Sequence, residues 1–138
     1  MDAVRVGVVG FSWGCWKCSE SVQCVVGPYR YGDNEIPLGD PAQTLAREIL
    51  LQDGKTEVAA LLVRKHHRDG SEGELASHCG SCGAVQGNFY VQNEALSRLI
   101  DADGHIETLD LIADGECDEA AWKDASPEYG DGVGMIYF

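Results

Sequence analysis

Cys15-Trp16-Lys17-Cys18 and Cys79-Gly80-Ser81-Cys82 are two C-x-x-C pairs, with 60 residues between Cys18 and Cys79. Two thiolates on one tight turn can meet a single ion at about 2.3 Å, and two such turns complete a tetrahedron. Each turn folds backbone N–H groups toward its sulfurs, which helps hold them as thiolates. Glycine after the second cysteine eases that bend; Gly83 fills the position in the second pair and Ser19 in the first. The spacing predicts one structural Zn²⁺ held by Cys15, Cys18, Cys79 and Cys82. A tetrahedral four-sulfur site also suits iron, and a redox dithiol is a further alternative. A thioredoxin-like site needs only one pair in a strand-to-helix context, whereas the first pair here lies between two predicted strands. Four thiolates leave the metal no open position, so hydrolytic chemistry at this centre is not expected.

Outward from the first pair, Val4-Arg5-Val6-Gly7-Val8-Val9 reads as a valine-rich strand and Ser21 to Val26 as a second. The first cysteine turn then sits at a hairpin-like junction. Gly27-Pro28, Gly32-Asp33-Asn34 and Pro37 mark loop. Asp40 caps a helix with Pro41 in its first turn; Ala42, Leu45, Ile49 and Gln52 share a face, and Asp53-Gly54 ends it. Val58 to Val63 predicts a strand, Asp69-Gly70 a turn, and Glu74-Leu75-Ala76 the approach to the second pair. Phe89-Tyr90-Val91 reads as the strand leaving that pair. A short helix from about Asn93 carries Leu96, Leu99 and Ile100 and stops at Asp101-Ala102-Asp103-Gly104. Ile106 to Ile112 and Gly132 to Phe138 are the last predicted strands. The expected fold class is α+β: a β-rich zinc ribbon with two short helices. A discontinuous ribbon domain is expected over 1–92, with an acidic C-terminal extension over 93–138 packed on it.

Six cysteines in a 138-residue chain also admit three disulfides, but that reading needs an oxidising compartment. The start Met1-Asp2-Ala3-Val4-Arg5 carries an acid and lacks the apolar stretch of a signal peptide. No run approaches the 18 or more apolar residues of a membrane span, and a cytoplasmic location is expected. Val22, Cys24 and Val26 alternate with Gln23 and Val25, which makes Cys24 a buried strand residue. Cys117 lies in Asp114-Gly115-Glu116-Cys117-Asp118, where the acids should raise its pKa and dull its reactivity.

The formal charge is −13. Residues 92–138 hold twelve acids against Arg98 and Lys123, so most of that charge is in the last third. Such a field repels phosphate backbones, which need Lys and Arg to displace counterions. A protein partner of basic character is therefore expected ahead of nucleic acid, with no membrane partner.

The first pair with its following hydrophobic strand, and then Ala76-Ser77-His78-Cys79-Gly80-Ser81-Cys82-Gly83-Ala84-Val85-Gln86-Gly87-Asn88-Phe89-Tyr90, resembles a group of uncharacterised bacterial zinc-ribbon proteins. Members show a C-W-x-C pair and a stretch like A-N-H-C-x-x-C-G-A-x-Q-G-D-x-[FY]. Ser77 and Asn88 depart from the commoner Asn and Asp. The resemblance ends near residue 92; it implies a fold and a metal carried by the four cysteines, and no established activity.

Other motifs have plainer readings. Arg64-Lys65-His66-His67-Arg68 is the one basic cluster, either a phosphate or acidic-peptide contact or a solvated hairpin tip. Adjacent strand residues point to opposite faces, so His66 and His67 make a poor second metal site. Trp13 and Trp16 flank the first turn, to stack on a ligand or to exclude water from the sulfurs. Gln86-Gly87-Asn88 either offers polar groups to a ligand or orients the departing chain. His105-Ile106-Glu107 lacks the P-C-x-x-C of a zinc deaminase, and Asp101-Ala102-Asp103-Gly104 lacks the spacing of a calcium loop. The leading expectation is an interaction protein without catalytic activity. The alternatives are a nucleic-acid accessory factor using residues 64–68, and a redox or metal-dependent enzyme.

Overall fold

The valine run belongs to a strand longer than its apolar residues. In the computed structural model, which describes residues 3–126 and 135–138, β1 (Ala3–Gly14) is the centre of a three-stranded antiparallel sheet between β2 (Ser21–Arg30) and β7 (Asp110–Asp118). Val4, Val6 and Val8 face one core, with Val25, Ala113 and Trp122. Val9 and Phe11 face a second core, with Val22, Cys24 and Val26. A strand covered on both faces reads as a continuous apolar run rather than an alternating one.

The first core is closed by α1 (Asp40–Gln52), α2 (Thr56–Leu61) and α4 (Glu119–Ala125). Leu45, Ile49 and Leu50 of α1 are buried there, each worth about 1.5–3 kcal/mol relative to exposure. The second core takes α3 (Asn88–Asp101) and the two-stranded sheet of β3 (Glu35–Pro37) and β8 (Met135–Tyr137). A third antiparallel sheet has the order β4 (Leu62–His66), β5 (Glu72–His78), β6 (Val85–Gln86). The architecture is mixed α+β, with eight strands in antiparallel sheets and four helices among the described residues, rather than two helices.

Several predicted elements are corrected. Val58–Val63 is not one strand: Thr56–Leu61 is helical and only Leu62 begins β4. Ala59 and Ala60 favour helix, and Ala59 is buried in the first core. Phe89-Tyr90-Val91 is the start of α3, not a strand, and the helix begins at Asn88 rather than near Asn93. Its buried residues Val91, Ala95 and Leu99 fall at i, i+4 spacing, and that stripe overrides the β-propensity of the aromatic pair. Residues 106–108 form a 3₁₀ turn, and the strand that follows runs on through the acidic segment to Asp118. Gly27-Pro28 continues β2 and Pro37 lies in β3. Pro28 is tolerated because β2 is an edge strand. Gly27 is needed for close approach, since a Cβ there would meet the Pro37 carbonyl oxygen at 2.9 Å. Residues 132–134 of the last predicted strand lie outside the described residues; Met135–Tyr137 is strand.

Asp40 does not cap its own helix. Gly39 holds the N-cap position, and the Asp40 carboxylate accepts from the Leu75 N–H at 3.0 Å and from Arg64 at 2.5 Å. This ties α1 to β4 and β5. Burial raises the Asp40 pKa, but Arg64 and the Leu75 N–H outweigh it and the net shift is downward. Gln52 is exposed rather than on the buried face. Its side chain donates to the Glu116 carbonyl at 3.0 Å and accepts the Glu116 N–H at 2.8 Å, covering backbone groups of the β7 edge.

Candidate metal centre

Each cysteine pair is the tip of a hairpin. β1 and β2 pair up to Trp13↔Val22 and Gly14↔Ser21, so residues 15–20 form the first tip. β5 and β6 pair at Ser77↔Gln86 and His78↔Val85, so residues 79–84 form the second. The turns share one hydrogen-bond pattern. Ser19 N–H donates to the Cys15 carbonyl and Gly83 N–H to the Cys79 carbonyl, both at 2.9 Å; Cys15 N–H reaches Glu20 O at 2.7 Å and Cys79 N–H reaches Ala84 O at 2.9 Å. Both turns also need a left-handed residue after the second cysteine, with φ of 68° at Ser19 and 75° at Gly83.

At Ser19 that conformation carries a steric cost of about 1–2 kcal/mol, partly offset by the greater freedom glycine would have in the unfolded chain. Ser19→Gly is therefore expected to stabilise the metal-loaded protein by about 0.5–1 kcal/mol, read from chemical denaturation. A loss of stability would show that the serine makes a compensating contact.

The four sulfurs lie within 4.8 Å of one another. Cys15 Sγ is 3.7 Å from Cys82 Sγ, and Cys18 Sγ is 3.6 Å from Cys79 Sγ. A tetrahedron with 2.3 Å zinc–sulfur bonds has an edge of about 3.8 Å, so the donor set fits a four-thiolate metal site. Lys17 N–H donates to Cys15 Sγ and Ser81 N–H to Cys79 Sγ, each at 3.4 Å. Burial raises the Cys15 thiol, but the Cys18 and Lys17 N–H groups and the Gln86 amide outweigh it and bring the pKa down to about 6. Cys79 is also lowered, chiefly by the Cys82 and Ser81 N–H groups. At Cys18 the Glu20 N–H lowers the thiol, yet burial and the neighbouring sulfurs prevail and push it up to about 12. The backbone favours thiolates at the first cysteine of each pair, and a cation relieves their crowding against the others.

Gln86 supports the centre from beneath. It is buried; its amide donates to Cys15 Sγ at 3.4 Å and Ala84 O at 3.1 Å, and its carbonyl accepts the Trp13 indole N–H at 3.2 Å. Asn88 donates to Leu75 O at 2.7 Å. The polar pair of Gln86-Gly87-Asn88 thus orients the turn and the start of α3. Ser77 Oγ accepts the Val25 N–H at 3.0 Å, joining the two hairpins behind the sulfurs. Trp16 is 70 % exposed, with its indole N–H on Val85 O at 2.8 Å.

A groove of about 810 Å³ opens beside this centre, with Trp13, Trp16, Tyr90, Asn93, Glu94 and Ser97 among its lining. The expected strand over 89–91 takes Tyr90 off the helix face, and Glu94, inside the expected helix, carries no sequence signal of a site. On a helix, positions 90, 93, 94 and 97 form one stripe.

The basic cluster lies elsewhere. None of Arg64, Lys65, His66, His67 and Arg68 lines the groove. Arg64 pairs with Asp40, and Lys65 faces Glu74 at 3.9 Å. No second metal-ligating group that includes His66 or His67 occurs among the described residues. Cys24 is fully buried, and burial pushes its thiol up to about 12. Cys117 is raised by burial first and then by Asp118 and Glu119. No helix among the described residues is long and apolar enough to cross a membrane.

Set against protein-family models, curated proteins and solved structures, the chain matches none of them.

Proposed function

We propose that this chain is a zinc-stapled interaction module without catalytic activity. One Zn²⁺ on Cys15, Cys18, Cys79 and Cys82 would lock two hairpin tips together and make their shared face a rigid docking surface. The observation that carries this reading is the closed four-sulfur cluster directly beside an open, aromatic-lined groove. Four thiolates satisfy a tetrahedral ion completely, so the metal has a structural role and recognition falls to the side chains around it. Two cysteine turns at two hairpin tips support the zinc-ribbon description. The engagement of Arg64 with Asp40 argues against the 64–68 segment as a nucleic-acid contact. Partner choice would follow the −13 charge toward basic proteins.

Elemental analysis of the purified protein is expected to give one zinc per chain, lost when both cysteines of either pair become serine; iron in its place would overturn the assignment. A pull-down from the native host after nuclease digestion, read by mass spectrometry, is expected to retain protein partners that dissociate as salt rises. Recovery of nucleic acid alone would promote the accessory-factor alternative.

A further inference from the structure

We propose that the groove beside the metal centre binds the cationic side chain of a lysine or arginine in an exposed segment of a basic partner. This rests on the interaction reading above and specifies its ligand.

Three aromatic rings line the groove: Trp13 and Trp16 from the first hairpin and Tyr90 from α3. Trp16 and Tyr90 are 70 % and 67 % exposed, which is unusual for side chains of this size beside a core. Their positions are braced. Both indole N–H groups are engaged within the protein, on Gln86 and on Val85. The Tyr90 ring lies over Gly87, where a Cβ would meet Tyr90 Cδ2 at 3.3 Å, and it stands edge-on to Phe89.

With their N–H donors engaged, the tryptophans offer a ligand hydrocarbon surface and electron-rich faces. Among the described residues, Glu94 is the sole charged residue in the lining and no Lys or Arg lines the groove. Arg98 lies 3.9 Å from the Glu94 carboxylate and sits over the Phe11 ring; that separation is longer than a hydrogen bond, so the carboxylate keeps capacity for another donor. A phosphate finds no counter-charge in such a site. A cation on an alkyl stem fits each part of it: the stem lies along apolar rings, the charge meets π faces, and its N–H groups reach Glu94. The −13 charge of the chain attracts cationic ligands and repels polyanions.

The test uses the full-length, zinc-loaded protein and tryptophan fluorescence. The probe is a short blocked peptide with one central arginine, compared with the same peptide carrying citrulline, its neutral isostere. The arginine peptide is expected to bind about tenfold more tightly than the citrulline peptide, with Trp16→Ala and Tyr90→Ala each losing a similar factor. Glu94→Gln, an isosteric change at a half-buried helix position, is expected to weaken the arginine peptide severalfold and leave the citrulline peptide unaffected. Zinc content and melting temperature are measured on each variant, so that a folding defect is not read as lost binding. Equal affinity for the two peptides, or displacement of the arginine peptide by a single-stranded oligonucleotide, would overturn the proposal. If the peptides fail while host proteins are still captured in a Trp16-dependent way, the ligand class is wrong and the interaction reading survives. If that capture fails too, both fall together.

Discussion

Metal-free protein is expected to melt more than about 20 °C below the metal-loaded form, with the hairpin tips unfolding first. Two arguments give that size. A crosslink enclosing the 60 residues between Cys18 and Cys79 removes about 4 kcal/mol of chain entropy from the unfolded state. Structural zinc in small domains contributes about 10–16 kcal/mol of apparent binding energy, against a whole-domain stability of about 5–15 kcal/mol. A loss of even about 6 kcal/mol shifts the melting point of a domain this size by roughly 20 °C. The loss is also concentrated in place. Cys15 and Cys79 belong to the same core as Phe11, Val22 and Cys24, so removing the ion leaves crowded sulfurs inside an apolar cluster. Hydrogen exchange should show residues 15–20 and 79–86 losing protection before the core around Leu45, Ile49 and Trp122. An unchanged melting temperature after chelation would show that packing alone holds the tips together and that the metal is incidental.

The site was more legible than the fold around it, for a physical reason. A C-x-x-C turn is a local geometry, and two of them admit few arrangements that satisfy four soft ligands. The hairpin position of the first turn followed from the strands on either side of it. The start of α3 did not, because Phe89 and Tyr90 carry strong β-propensity. The helical signal is the wider stripe of Val91, Ala95 and Leu99, which needs a core to face before it decides anything. The same holds for Thr56–Leu61, where the buried contact of Ala59 selects the helix. Pro28 looked like a loop marker because its place at a sheet edge is a property of the assembled sheet. The groove was invisible for the strongest version of this reason. It exists only where the end of β1, the β6 turn and one face of α3 come together.

Gly10→Ala is expected to cost about 3 kcal/mol or more, a large effect for one methyl group. Gly10 lies where β1 passes between irregularities on both neighbours. Its pairing with β2 jumps from Val9↔Gly27 to Gly10↔Val25, and the pairing of β1 with β7 jumps from Val8↔Ala113 to Val9↔Leu111. Val26 and Ile112 are therefore the extra residues of two bulges, and the strands crowd β1 at that level. A Cβ on Gly10 would overlap the Cys24 carbonyl oxygen and come within 2.6 Å of Ile112 Cδ1. The isoleucine tip has rotamers to yield; the carbonyl is backbone in a paired strand and cannot move without opening β1 from β2. That opening lies on the same hairpin as the first cysteine turn, so Gly10→Ala is also expected to weaken metal binding though it touches no ligand. Gly14→Ala is the control. It lies nearer the cysteines, yet its added Cβ would have only Ser19 O as a neighbour, at an ordinary 3.6 Å. Its effect on stability should stay within about 0.5 kcal/mol. Equal stability of the two variants in denaturant titration would mean that the sheet yields at Gly10. The aim of the first hairpin at the metal would then be set by the sulfurs alone rather than by the bulged strands beneath them.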